Sequence, residues 1–191
     1  MKKRLLALVV AIALLLCGCC TCDTQVDMSR YLYKLLESND YNDWLNVATC
    51  KNATLDHLLN CAQKCASIKD TSQRLDDKAS AINIAEALIS NKKATSEVVK
   101  ELANSEFREV WKVIASATCN DSDSLVVLAQ KCASIKDTTQ FLDDKAFATD
   151  FAKKLTHHSE FNAKVGIALT ASPFSEVKNI ALIALESLEN S

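Results

Sequence analysis

Glycine occurs only twice in the 191 residues, at Gly18 and Gly166, and proline once, at Pro173. At an ordinary usage of about 12% the two together would number roughly 23. Turn-rich β-sandwiches and barrels need residues with φ > 0 at their corners, so this shortage excludes them. Loops of the GxGxxG or Walker type need glycine where the backbone approaches a phosphate, which removes mononucleotide-fold enzymes as well. Collagen, proline-rich linkers and Gly/Ser tethers are excluded for the same reason. Basic stripes are also missing, which argues against nucleic acid as a partner. What remains is 49% hydrophobic and 24% charged, and it reads as an all-α protein with short connections.

Residues 1–22 read MKKRLLALVVAIALLLCGCCTC. Lys2, Lys3 and Arg4 precede an unbroken apolar run over 5–16. Twelve helical residues span about 18 Å, short of the ~30 Å hydrocarbon core of a bilayer. The run therefore reads as the hydrophobic region of a signal peptide rather than a transmembrane helix. It ends on Leu16-Cys17-Gly18-Cys19. This resembles the lipobox of bacterial lipoproteins, with Leu three positions before a cysteine and a small residue directly before it. The resemblance implies cleavage after Gly18 and a diacylglycerol on the sulfur of Cys19, which becomes the acylated N-terminus. With ordinary secretion instead, Cys19, Cys20 and Cys22 are plain thiols. A processed lipoprotein carries three acyl chains, enough for permanent attachment. In Gram-negative members, Asp after the modified cysteine directs retention at the inner membrane. Cys20 stands there, which by that rule favours the outer membrane.

Residues 20–27 form the expected tether, reaching at most about 28 Å, so the domain over 28–191 is expected close to the membrane surface. Cleavage removes three basic residues and leaves 19 basic against 24 acidic side chains, a net of −5. That balance gives anionic headgroups no general attraction.

The main feature of the mature chain is a duplication. Residues 62–79 read AQKCASIKDTSQRLDDKA and residues 129–146 read AQKCASIKDTTQFLDDKA, with 16 of 18 positions identical at an offset of 67. Trp44 and Trp111 share the offset. So do two copies of a further marker, Asn104-Ser105-Glu106-Phe107-Arg108-Glu109-Val110 and Ala171-Ser172-Pro173-Phe174-Ser175-Glu176-Val177. Its counterpart in the first copy is aligned at Asn39, one residue out of step. The chain is thus expected to hold two units, about 41–106 and 107–173, and a partial third over 174–191, forming a short solenoid-like helical-repeat domain.

Leu55, Leu58, Leu59, Ala62, Cys65 and Ala66 follow the helical stripe i, i+3, i+4, i+7, and Leu125, Val126, Ala129, Cys132 and Ala133 repeat it. Asp70 with Gln73, and Asp137 with Gln140, have capping-box spacing ahead of a helix expected to turn Leu75, Ala79, Ile82 and Ile89 inward. Ten helices are expected, near 28–37, 41–50, 54–67, 72–91, 95–103, 107–118, 122–134, 139–156, 160–170 and 174–189. The near-identical corner segments suggest a doubled surface for a protein partner, carried by Lys69, Asp70, Asp76, Asp77 and Lys78 in one copy. Lys136, Asp137, Asp143, Asp144 and Lys145 carry it in the other. A tightly packed corner held by caps and salt bridges would keep the same residues.

His57, Cys61 and Cys65 lie at i, i+4, i+8 on one helix, and one imidazole with two thiolates suits zinc or copper. The second copy has Ser124, Leu128 and Cys132 there, and a position that exchanges Cys for Leu behaves as apolar core. Bridges between Cys50 and Cys65, or Cys119 and Cys132, would span opposite ends of a helical hairpin, too far for a disulfide. His157 and His158 read as a solvated helix end. The sequons at Asn52 and Asn120 fall where such residues cap helices. No catalytic residue and no cofactor is expected. The leading expectation is a lipid-anchored envelope protein whose repeat domain binds another protein without catalysis. The alternatives are a thiol- or metal-handling lipoprotein using His57, Cys61 and Cys65, or a small hydrolase without a recognised motif.

Overall fold

The computed structural model describes residues 22–70, 76–136 and 143–190. Gly18, Cys19, Gln73, Leu75, Asp137 and Gln140 lie outside them. The all-α expectation holds. Among the described residues there are ten helices and no strand: α1 (Cys22–Glu37), α2 (Tyr41–Thr49), α3 (Leu55–Ala66), α4 (Asp77–Ser90), α5 (Ser96–Leu102), α6 (Arg108–Ile114), α7 (Ser122–Ser134), α8 (Asp144–Thr156), α9 (Ala163–Thr170) and α10 (Ser175–Glu189).

The corners form without left-handed backbone, since none of the described residues has a positive φ. Polar side chains take the place of glycine by satisfying free N–H groups at helix starts. Asp40 accepts from Asn42 N–H at 3.0 Å ahead of α2, and Asn162 accepts from Lys164 N–H at 3.0 Å ahead of α9. Thr54 with His57, and Asp121 with Ser124, form reciprocal capping boxes at α3 and α7. At three further corners a serine hydroxyl accepts the N–H two residues on: Ser38 from Asp40, Ser105 from Phe107, Ser172 from Phe174. These three serines stand 67 apart, so the first marker is in register from Ser38 and not one residue out of step from Asn39.

Other bonds recur at the same spacing. Trp44 Nε1–H donates to Ser38 O at 2.8 Å and Trp111 Nε1–H to Ser105 O at 2.9 Å. The Cys65 thiol donates to Ala81 O and the Cys132 thiol to Ala148 O, at 3.3 and 3.4 Å. Lys64 and Lys131 sit over the faces of Trp44 and Trp111, 5.5 and 5.4 Å from the ring centres.

Short connections reverse each helix against the one before it, which gathers the turns at two ends. At one end Asn91 Nδ2–H donates to Cys50 O and Lys93 Nζ–H to Ala53 O. Ser96 Oγ–H donates to Asp121 there, and His158 Nε2 bonds Ala117 O. The N-terminus of α1 belongs to this near end, because Ser29 and Tyr33 of α1 meet His57 and Asp56 in the first turn of α3. The far end holds the turns at 38–40, 103–107 and 171–174, together with residues 67–70 and 135–136 that follow α3 and α7 and the starts of α4 and α8. One continuous core runs between the ends, built from stripes such as Leu58, Cys61, Ala62 and Cys65 of α3 and Leu125, Leu128, Ala129 and Cys132 of α7.

Three expectations are corrected. α1 begins at Cys22, six residues before the expected start at 28. α4 begins at Asp77 with Asp76 at its N-cap, so Asp70 does not cap it. Its inward face is Asp77, Ala81, Ile84, Ala85 and Leu88, while Ala79 is exposed and Ile82 and Ile89 are half-buried. Asp77, expected among the contact charges, takes a place on that buried face. Gly166 lies at a close crossing of α9 and α10: a Cβ there would meet Leu185 Cδ2 of α10 at 2.6 Å.

Candidate functional site

The far end brings the two duplicated segments together. A cleft of about 390 Å³ is lined by Asp70 and Lys78 from the first, Ile135, Lys136 and Asp144 from the second, and Glu106, Phe107, Arg108, Glu109 and Trp111 between them. Phe107, Trp111 and Ile135 supply its apolar wall, and charged side chains form its rim.

Most of that charge is used inside the chain. Lys69 Nζ reaches Glu106 at 3.0 Å, and Asp70 N–H donates to the same carboxylate at 2.5 Å. The backbone N–H of Asp70, then Lys69, hold the Glu106 carboxyl below its usual range. Lys78 pairs with Glu109, and 67 residues on Lys145 pairs with Glu176 at 2.5 Å. Arg108 spans two acids, with Nη1 at 2.6 Å from Asp144 and Nη2 at 2.5 Å from Asp143. Its guanidinium also covers the Phe147 ring at 4.7 Å.

Asp77 and Asp144 are 1% and 3% exposed. They face neighbouring helices, and burial removes both from any contact surface. Each meets a donor from the opening helix of its own unit, at positions 67 apart. Tyr41 O–H donates to Asp77 at 2.7 Å, and the Arg108 guanidinium donates to Asp144. The same corner is thus satisfied once by a phenol and once by a cation. Asp70, Asp76 and Lys136 keep exposed side chains. Lys136 matches Lys69 by offset, but the acid that would match Glu106 is Pro173. Arg108, Glu106 and Glu109 were not foreseen as site residues, although the marker at 104–110 carried all three in its sequence.

The His57, Cys61 and Cys65 stripe is structural in its bonding. Thr54 N–H donates to His57 Nδ1 at 3.1 Å. An N–H can only donate, so Nδ1 carries the lone pair and Nε2–H donates to Ser29 Oγ at 3.1 Å. That tautomer leaves Nε2 unable to take a proton from Ser29. Cys61 donates to Trp44 O at 3.3 Å, and burial pushes its thiol pKa well up. Burial raises Cys65 and Cys132 to about 12. Thiolates are what bind metal, so these sites favour the protonated core role. All five cysteines from Cys50 to Cys132 are free thiols. His157 closes α8 at the surface, and His158 bonds the backbone.

Fold and site together define an all-α protein with a charged cleft at the ends of its helices. No protein-family model matches the chain, and no curated protein or solved structure is similar enough to place it in a family.

Proposed function

We propose that the chain is a bacterial envelope lipoprotein, anchored through Cys19, whose short helical-repeat domain binds a partner protein without catalysis. The observation that carries this reading is the convergence of both duplicated segments on one cleft, at the end of the helices opposite the N-terminus of α1. A partner would meet the exposed remainder of those segments, Asp70, Asp76 and Lys136, together with the apolar edge at Phe107 and Trp111. Lys69, Lys78, Asp143 and Lys145 support that surface through ion pairs, and Asp77 and Asp144 from beneath it. The bonding of His57 and the protonated buried thiols support a non-catalytic, metal-free domain.

Intact-mass measurement of membrane-extracted protein beside a Cys19→Ser variant tests the anchor. Cross-linking on intact cells, repeated with Asp76→Lys combined with Lys136→Glu, tests the surface. Loss of a specific cross-link with unchanged helicity is the expected result. An unacylated N-terminus, or a cross-link indifferent to both charge reversals, refutes the corresponding half.

A further inference from the structure

We infer that the near end of the helical domain, formed by the turns at 50–54 and 91–95, rests on the lipid headgroups and holds the far-end cleft away from the membrane. This deepens the lipid-anchored reading and depends on it. The tether is shorter than the eight residues the sequence implied. Because α1 begins at Cys22, the three residue steps from Cys19 reach at most about 11 Å. An anchor that short fixes which end of α1 meets the bilayer, and α1 runs from the near end toward the far end.

α1 is also fixed to the domain, so it transmits that orientation. Leu32 and Leu36 are buried in the core. Ser29 bonds His57 across the interface, Tyr33 O–H bonds Asp56, and the Tyr33 and His57 rings stack with centres 4.5 Å apart. The turns at 50–54 and 91–95, bonded to each other through Asn91 and Lys93, expose Lys51, Lys92 and Lys93. Asp56, Glu97 and Asp27 lie nearby, and the hydroxyls of Tyr33 and Thr95 bond the first two without neutralising them. The edge therefore carries both signs, and the short anchor rather than net charge sets which end meets the bilayer. Attraction between lysine and anionic headgroups acts within about 10 Å, the range the anchor imposes. α3, with 12 residues, separates the two ends by about 18 Å.

The test uses the full acylated chain in phosphatidylcholine–phosphatidylglycerol vesicles carrying a headgroup-attached quencher. Trp44 and Trp111 bond far-end carbonyls and serve as internal references. Asn52→Trp places an indole in a near-end turn, and Lys136→Trp places one at the far end. The emission added by Asn52→Trp should be quenched, and that added by Lys136→Trp should not. Lys51→Glu with Lys92→Glu should reduce the near-end quenching on anionic vesicles. Equal quenching of both indoles in an acylated, vesicle-bound chain overturns the orientation while leaving the anchor intact, as does quenching of Lys136→Trp alone. Indifference to the lysine reversals overturns the headgroup contact. A chain that lacks the acyl mass and does not bind vesicles overturns the anchor and the orientation together.

Discussion

Replacing Arg108 by alanine removes the cation that bridges Asp143 and Asp144. Asp144 is 3% exposed, whereas the Arg108 side chain is 14% exposed and Asp143 66%. The burden of the broken pair therefore falls on Asp144. Removing one partner of a buried pair costs about 3–5 kcal/mol, because a desolvated charge is left behind. The partly wet guanidinium places this case near the low end, at about 3 kcal/mol. With a urea m-value of about 2 kcal/mol per M, the unfolding midpoint should fall by about 1.5 M. The melting temperature should fall by roughly 6–12 °C. Arg108→Tyr is the informative companion. Tyr41 already serves Asp77 at the equivalent position, so a phenol should restore most of the loss, to within about 1 kcal/mol of the parent. Asp144→Asn removes the buried charge itself and should cost less than Arg108→Ala. Urea titrations followed by far-ultraviolet circular dichroism measure all three. An Arg108→Ala loss below about 0.5 kcal/mol, or an Arg108→Tyr loss as large as it, would refute the account of this corner.

Asp121 caps α7. Burial pushes its carboxyl up, but hydrogen bonds from Ser96 and Ser124 prevail and hold it at about 2. Asp121→Ala should cost about 1 kcal/mol by the usual worth of a cap. Glu106, Asp143, Asp150 and Glu176 are also held low, by Asp70 N–H, Arg108, Lys112 and Lys145 respectively. A depressed carboxylate contributes fully above its unfolded value and loses that contribution as pH falls through its folded value. The urea midpoint should therefore be insensitive to these groups above about pH 5 and decline toward pH 2; a decline beginning at pH 7 would contradict the assignment. Gly166→Ala sets a helix-propensity gain of about 1 kcal/mol against crowding of Leu185 worth 1–3 kcal/mol. A small net loss is expected, and adding Leu185→Ala should be less than additive. Among Cys50, Cys61, Cys65, Cys119 and Cys132, native-state alkylation should reach half-buried Cys50 and Cys119 first. Peptide mass mapping showing Cys61 labelled as fast would refute the core assignment.

The near-absence of glycine and proline, the 3.6-residue stripes and the polar residues before them were enough to place ten helices. Such signals are local, and helix formation along a stripe needs no knowledge of distant neighbours. The same locality explains the errors. Asp76 and Asp77 look alike in sequence, yet one is exposed and the other is buried against Tyr41. What decides between them is a donor 36 residues away on another helix. Likewise His57 and Cys61 have the spacing of metal ligands, and only the Thr54 and Trp44 partners reveal their bonding. The duplication was legible because identity at a fixed offset needs no structure. That its two halves converge on one cleft was not, because the reversal of each helix sends the duplicated corners to a common end.

The sequence by itself determined the helical class, the resemblance to a lipoprotein leader and the 67-residue spacing, all properties of contiguous residues. Tertiary structure decided which carboxylates are buried, which charges pair across units and where the first helix begins. Those depend on burial and on partners distant in the chain, and neither is written in any single stretch of it.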